Sequence, residues 1–203
     1  MNVLVLILCS LTLIIYTRTK NYDSLRGILM FLMAFSALLL KILYIKEVNY
    51  RIFEPDTLLV SAVIISVFSV IGSLFIYTVR IKNRVFRPGF FLKLLILYIP
   101  FALLQQIFFQ YLFLNDISTL IAGKIQILLF GVLFFGLAHS PKETVKLTVF
   151  SLIAGSVWIW TYMSYGNIFW PVLSHAFLGS LYYCLVHPSN RLTARLKFLG
   201  NNQ

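Results

Sequence analysis

Three clusters of polar residues lie inside otherwise apolar stretches, and these are the places where the chain could do chemistry. The first is Leu104-Gln105-Gln106-Ile107-Phe108-Phe109-Gln110, in which Gln106 and Gln110 fall one helical turn apart on one face. The second is Phe135-Gly136-Leu137-Ala138-His139, with an aromatic ring one turn before the imidazole. The third is His175-Ala176-Phe177-Leu178-Gly179. Amides and imidazoles are costly to bury in hydrocarbon unless they find partners, so these side chains should face the protein interior. If the helices that carry them are neighbours, two imidazoles and two or three amides converge on one buried polar pocket, where a neutral histidine could act as a base. Plainer roles stand beside this one. The glutamines could be interhelical hydrogen bonds, which contribute about 0.6 kcal/mol each on average. His139, next to Ser140 and Pro141, could be interfacial, His175 could be structural, and His187 beside Pro188 reads as a helix C-cap.

The elements that carry these clusters follow from composition. The 203 residues are 60% hydrophobic and 11% charged, against about a quarter charged in a soluble domain, so water is not the solvent for most of this surface. Apolar runs extend over about 1–17, 26–46, 57–79, 89–114, 118–140, 145–165 and 167–187. A crossing of the hydrocarbon core takes about 20 apolar residues, and in lipid each run must satisfy its own backbone hydrogen bonds. The expected fold is an all-α, polytopic transmembrane bundle of about seven helices. It divides into residues 1–88 with three helices and a basic loop, a core at 89–187 and a basic tail at 188–203. Cys9 and Cys184 both fall in apolar runs and imply no disulfide framework. The first run lacks a basic leader and a small-residue cleavage site, so it reads as a retained helix.

The formal net charge of +11 would suggest nucleic acid in a soluble protein, but here the cations sit in short loops between apolar runs. Arg18, Lys20, Arg26, Arg80, Lys82, Arg84, Arg87, Lys93, Lys142, Lys146, Arg191, Arg195 and Lys197 fall on one side of the expected bundle. The other side has Lys41, Lys46, Arg51 and Lys124, diluted by Glu47, Glu54, Asp56 and Asp116. The positive side stays cytoplasmic, which places the N-terminus outside and the C-terminus inside, in a multi-pass protein of the cell membrane. Lipid is then the partner of the basic loops, and nucleic acid is not expected. Tyr16, Tyr77, Phe86, Tyr162, Tyr165 and Trp170, near run ends, read as an interfacial aromatic belt.

The three clusters, in their order, resemble the motifs of the CAAX prenyl protease and bacteriocin-processing (CPBP, Abi) family of intramembrane proteases. That family carries Glu-Glu-x-x-x-Arg, Phe-x-x-x-His and His-x-x-x-Asn on separate membrane helices. The resemblance covers about residues 89–187 and implies that paired glutamates and histidines activate a water against a peptide carbonyl. Carried over, Gln105, Gln106, His139 and His175 stand at catalytic positions, and Gln110, Phe135 and Gly179 at substrate-binding ones. This chain departs from the pattern, with amides for both acids, Gln110 for the arginine and Gly179 for the asparagine. An amide cannot take a proton from water as a carboxylate does. No other carboxylate rescues the site, since Asp23, Glu47, Glu54, Asp56, Asp116 and Glu143 all lie in or beside expected loops.

The expectation is therefore a protease-like scaffold whose glutamate chemistry is altered or lost, and which binds a membrane-associated or prenylated peptide. Rival readings are an active peptidase that uses His139 and His175, or a small transporter or complex subunit. No cofactor is expected. The resemblance leaves a divalent metal open, but two histidines with amides are a poor zinc set. One geometric tension accompanies this expectation. A straight fifth helix from Ser118 would carry His139 to the far face of the membrane, so that helix must start later if His139 is to reach the pocket.

Overall fold

A computed structural model describes residues 2–18, 32, 35–37, 39, 43, 55–81, 85–139 and 145–186. The expected second run falls mostly outside them, as do His187, Glu143 and the basic tail, although the isolated described positions within that run are helical. The described residues form six long helices and no strand. α1 is Asn2–Arg18, and α2 is Leu58–Thr78, entered through a 3-10 turn at Pro55–Thr57. α3 is Pro88–Gln106, which continues as a π-helix over Ile107–Leu114 and a last turn at Asn115–Ile117. α4 is Lys124–His139, α5 is Val145–Tyr165 and α6 is Phe169–Leu185.

The apolar runs and the hydrogen-bonding demand of lipid explain why all of these are helices. Proline at the first position of α3 suits a helix start, where its missing N–H would be unpaired in any case. Gly166 ends α5 with φ of 62°, a left-handed cap whose N–H donates to Tyr162 O at 2.8 Å. Pro55–Thr78, Pro88–Ile117 and Val145–Tyr165 are each long and apolar enough to cross a bilayer, and Val3–Ile15 and Lys124–His139 are shorter apolar helices. Their outward faces carry exposed Val63, Val67, Ile71, Leu74, Ile96, Leu104, Leu129 and Leu133, a surface that only lipid solvates favourably. The protein is an integral membrane helical bundle.

Two helix pairs build the core, α4 against α5 and α3 against α6, with α2 across α6 and α5. The π-helix lies between α1 and α4, and six consecutive residues from Phe109 to Leu114 are buried there. Close approach relies on residues without side chains. A Cβ on Gly136 would collide with Leu152, and one on Gly155 would come within 2.8 Å of the Phe135 ring.

Candidate functional site

The helix that carries His139 starts at Lys124, after a turn at 118–120 and an irregular stretch at 121–123. Sixteen residues at about 1.5 Å each give some 24 Å, short of a hydrocarbon core of about 30 Å, so His139 stops below the far face. Its ring centroid then lies 6.4 Å from that of His175 on α6. Gln106, at the end of α3, donates from Nε2 to His175 Nδ1 at 3.0 Å. The three elements predicted to meet do meet at these three residues.

Each imidazole is fixed by a different neighbour. With Nδ1 accepting from Gln106, a neutral His175 keeps its proton on Nε2. His139 has the opposite tautomer, because Nδ1 donates to the Phe135 carbonyl at 2.8 Å and leaves Nε2 as an acceptor. Trp158 of α5 stacks on His175 with centroids 4.6 Å apart. Its indole N–H donates to Ser174 Oγ at 3.1 Å, and that hydroxyl is bonded in turn to Ser69 Oγ of α2 at 2.9 Å. Phe135 is wedged among His139, His175, Trp158 and Phe109, with centroids 4.7 to 5.7 Å away.

These groups border a cavity of about 30 Å³ lined by Tyr98, Phe135, His139, Ser151, Trp158, His175, Gly179 and Tyr182, among others. One water needs about 10–15 Å³ of such space, so the cavity can take a water or a carbonyl oxygen. Leu147, from the first turn of α5, and Tyr182 and Tyr183, from the last turn of α6, place it toward the end of the bundle where His139 lies. Ile81 N donates to Leu185 O at this same end, and exposed Arg80, Arg87, Lys93 and Lys146 surround it.

The other glutamines stand apart from this cavity. Gln106 reaches it only through His175, and its Oε1 has no hydrogen-bond partner among the described residues. Gln110 is 1% exposed and neither end of its amide is bonded, while Gln105 is half-buried with an unbonded Oε1. The expected convergence of the whole amide set is corrected: none of the three amides lines the cavity itself, and Gln106 is the one joined to a lining residue, through its bond to His175. Tyr162 is corrected as well. Instead of anchoring at the interface it is 5% exposed and hydrogen-bonded to Asn115, with Nδ2 donating to the phenol at 3.0 Å. Asp116 is buried in the last turn of the α3 extension, not in an exposed loop, and it does not line the cavity. Tyr98 and Trp158 are the residues that the motifs did not single out, and nothing in their sequence context distinguishes them from other aromatics.

The donor set does not suit a metal. Zinc takes about three protein ligands, and among the described residues no three His, Cys, Asp or Glu come together to hold an ion. Both Nδ1 atoms are also already hydrogen-bonded.

Fold and site together define an integral membrane helical protein with a small, largely aromatic cavity between its helices, bordered by two histidines. Residues 87–181 match the family model described as type II CAAX prenyl endopeptidase Rce1-like, and they include all three motif clusters. That stretch is thus similar to CAAX-protease-like membrane proteins, in agreement with the resemblance drawn from those clusters. No curated protein and no solved structure matches it.

Proposed function

We propose that this protein binds a membrane-associated, prenylated peptide at the His139–His175 pocket without the glutamate-dependent hydrolysis of its family. The observation that carries this reading is the Gln106–His175 hydrogen bond, in which an amide stands where the family resemblance implies a carboxylate. Loss of a general base removes some 100- to 10,000-fold of rate. The pocket lining offers no carboxylate in its place. Because the cavity is only about 30 Å³, far smaller than a peptide, a bound peptide lies across its mouth and inserts a carbonyl oxygen, with its lipid tail in the bilayer.

The test uses the full chain in phosphatidylcholine nanodiscs and a synthetic farnesylated peptide of the Cys-aliphatic-aliphatic-X type. Expected are saturable binding that His175→Ala weakens and no cleavage above the empty-nanodisc blank. A second reading has one specific observation in its favour. The Phe135 carbonyl holds His139 with Nε2 open to accept a proton, beside a cavity of water size. Cleavage that His139→Ala abolishes would replace the binding role with that of a histidine-dependent peptidase.

A further inference from the structure

Ser69 lies on α2, outside the residues that match the family model, yet it is bonded to the chain neighbour of His175. We infer that Ser69 is a positioning residue of the pocket, which acts through Ser174 to hold the Trp158 indole against His175 where the peptide binds. The inference rests on the peptide-binding reading above. Ser69 Oγ is 2.7 Å from the Ile65 carbonyl and 2.9 Å from Ser174 Oγ, and the Trp158 N–H donates to Ser174 Oγ at 3.1 Å. A hydroxyl has one hydrogen that turns to suit its neighbours, and a carbonyl can only accept. The order that satisfies every group is therefore Trp158 to Ser174, Ser174 to Ser69, and Ser69 to the Ile65 carbonyl.

Ser174 departs from the habit of the other hydroxyls in these helices. Thr12, Ser61, Ser69, Ser73 and Thr161 each donate to the carbonyl four residues before, the usual partner of a hydroxyl in an apolar helix. Ser174 reaches across to α2 instead, and that rotamer presents its oxygen to Trp158. Without Ser69 it would fall back on its own helix and leave the indole N–H, on a residue 3% exposed, without an acceptor. The helix is also well placed for this task. α5 and α6 approach each other at few points, and α2 lies across both. Phe68 meets the Trp158 ring edge-on with centroids 6.2 Å apart, and a Cβ on Gly72 would come within 3.1 Å of Leu178. The stack of Trp158 on His175, two residues that line the cavity from different helices, thus depends on a third.

The test uses the full chain in nanodiscs, labelled with 5-fluorotryptophan, and the farnesylated peptide. Trp158→Phe identifies the Trp158 fluorine resonance among those of the three tryptophans. Ser69→Ala is expected to shift that resonance and leave those of Trp160 and Trp170 in place. It should also weaken peptide binding by about three- to tenfold, the worth of one hydrogen bond. Ser174→Ala should do the same, and adding Ser69→Ala to it should change nothing further, because the two residues act through one path. Ser73→Ala removes a bond within α2 alone and should alter neither readout. An unmoved Trp158 resonance in the Ser69→Ala protein, or wild-type affinity in it, overturns the assignment and leaves the peptide-binding reading intact. Failure of the wild type to bind the peptide overturns that reading, and this inference with it.

Discussion

At Gln106 the exchange of one side-chain nitrogen for oxygen separates two chemistries. The amide donates to His175 Nδ1 and fixes its tautomer, whereas a carboxylate would accept from it and could take a proton from water. Converting Gln105 and Gln106 together to glutamate should therefore raise hydrolysis of the farnesylated peptide to about tenfold or more above the empty-nanodisc blank, read by mass spectrometry of the released product. The same change should lower the melting temperature in detergent, because position 106 is 1% exposed and an unpaired buried charge costs about 3–5 kcal/mol. Adding Gln110→Arg should recover part of that loss. A folded triple variant that binds the peptide yet never cleaves it would show that more than the acids has been lost from this scaffold. Histidines and glutamines inside apolar runs are conspicuous, which is why Gln106, His139 and His175 could be read from sequence. Tyr98 and Trp158 could not, since in a chain with 11 Tyr, 19 Phe and 3 Trp another aromatic in an apolar run signals nothing.

Among the elements, the helix boundaries follow the apolar runs closely, because lipid allows the backbone few alternatives. Two features departed from that simple picture. The fifth run begins its helix at Lys124, six residues later than its apolar start, and the six omitted residues are what keep His139 within the bundle. The π-helix at Ile107–Leu114 was not legible at all, for the same apolar residues suit either helix and the choice is made by packing between α1 and α4. The contact of α4 with α5 supplies the prediction at this scale. Gly155→Ala would bring a methyl within 2.8 Å of Phe135 Cδ1, and that ring, held by His139, His175, Trp158 and Phe109, has nowhere to go. Expected are a loss of about 1–3 kcal/mol in stability, measured by thermal or denaturant unfolding in detergent, and weaker peptide binding. Wild-type stability and binding in this variant would mean that α4 and α5 are less tightly apposed than described.

For the whole molecule, the site and the charge distribution share one end. His139, the first turn of α5 and the last turn of α6 meet where exposed Arg80, Arg87, Lys93 and Lys146 lie, and Leu120 is exposed at the opposite end of the bundle. Arg80 further lies over the ring of Tyr77, 4.0 Å from its centroid, as suits a cation and an aromatic held at a membrane surface. If basic loops stay in the cytoplasm, the pocket faces the cytoplasm, where a newly lipidated peptide would be presented to it. The two native cysteines are buried, so a single introduced cysteine reports its own side of the membrane. With a membrane-impermeant maleimide, Leu120→Cys should label in intact cells and Lys146→Cys only after the membrane is opened. The reverse pattern would put the pocket on the outer face. The positive-inside reading would then fail, and a cytoplasmic prenylated peptide could not be its ligand, whatever the affinity measured in nanodiscs.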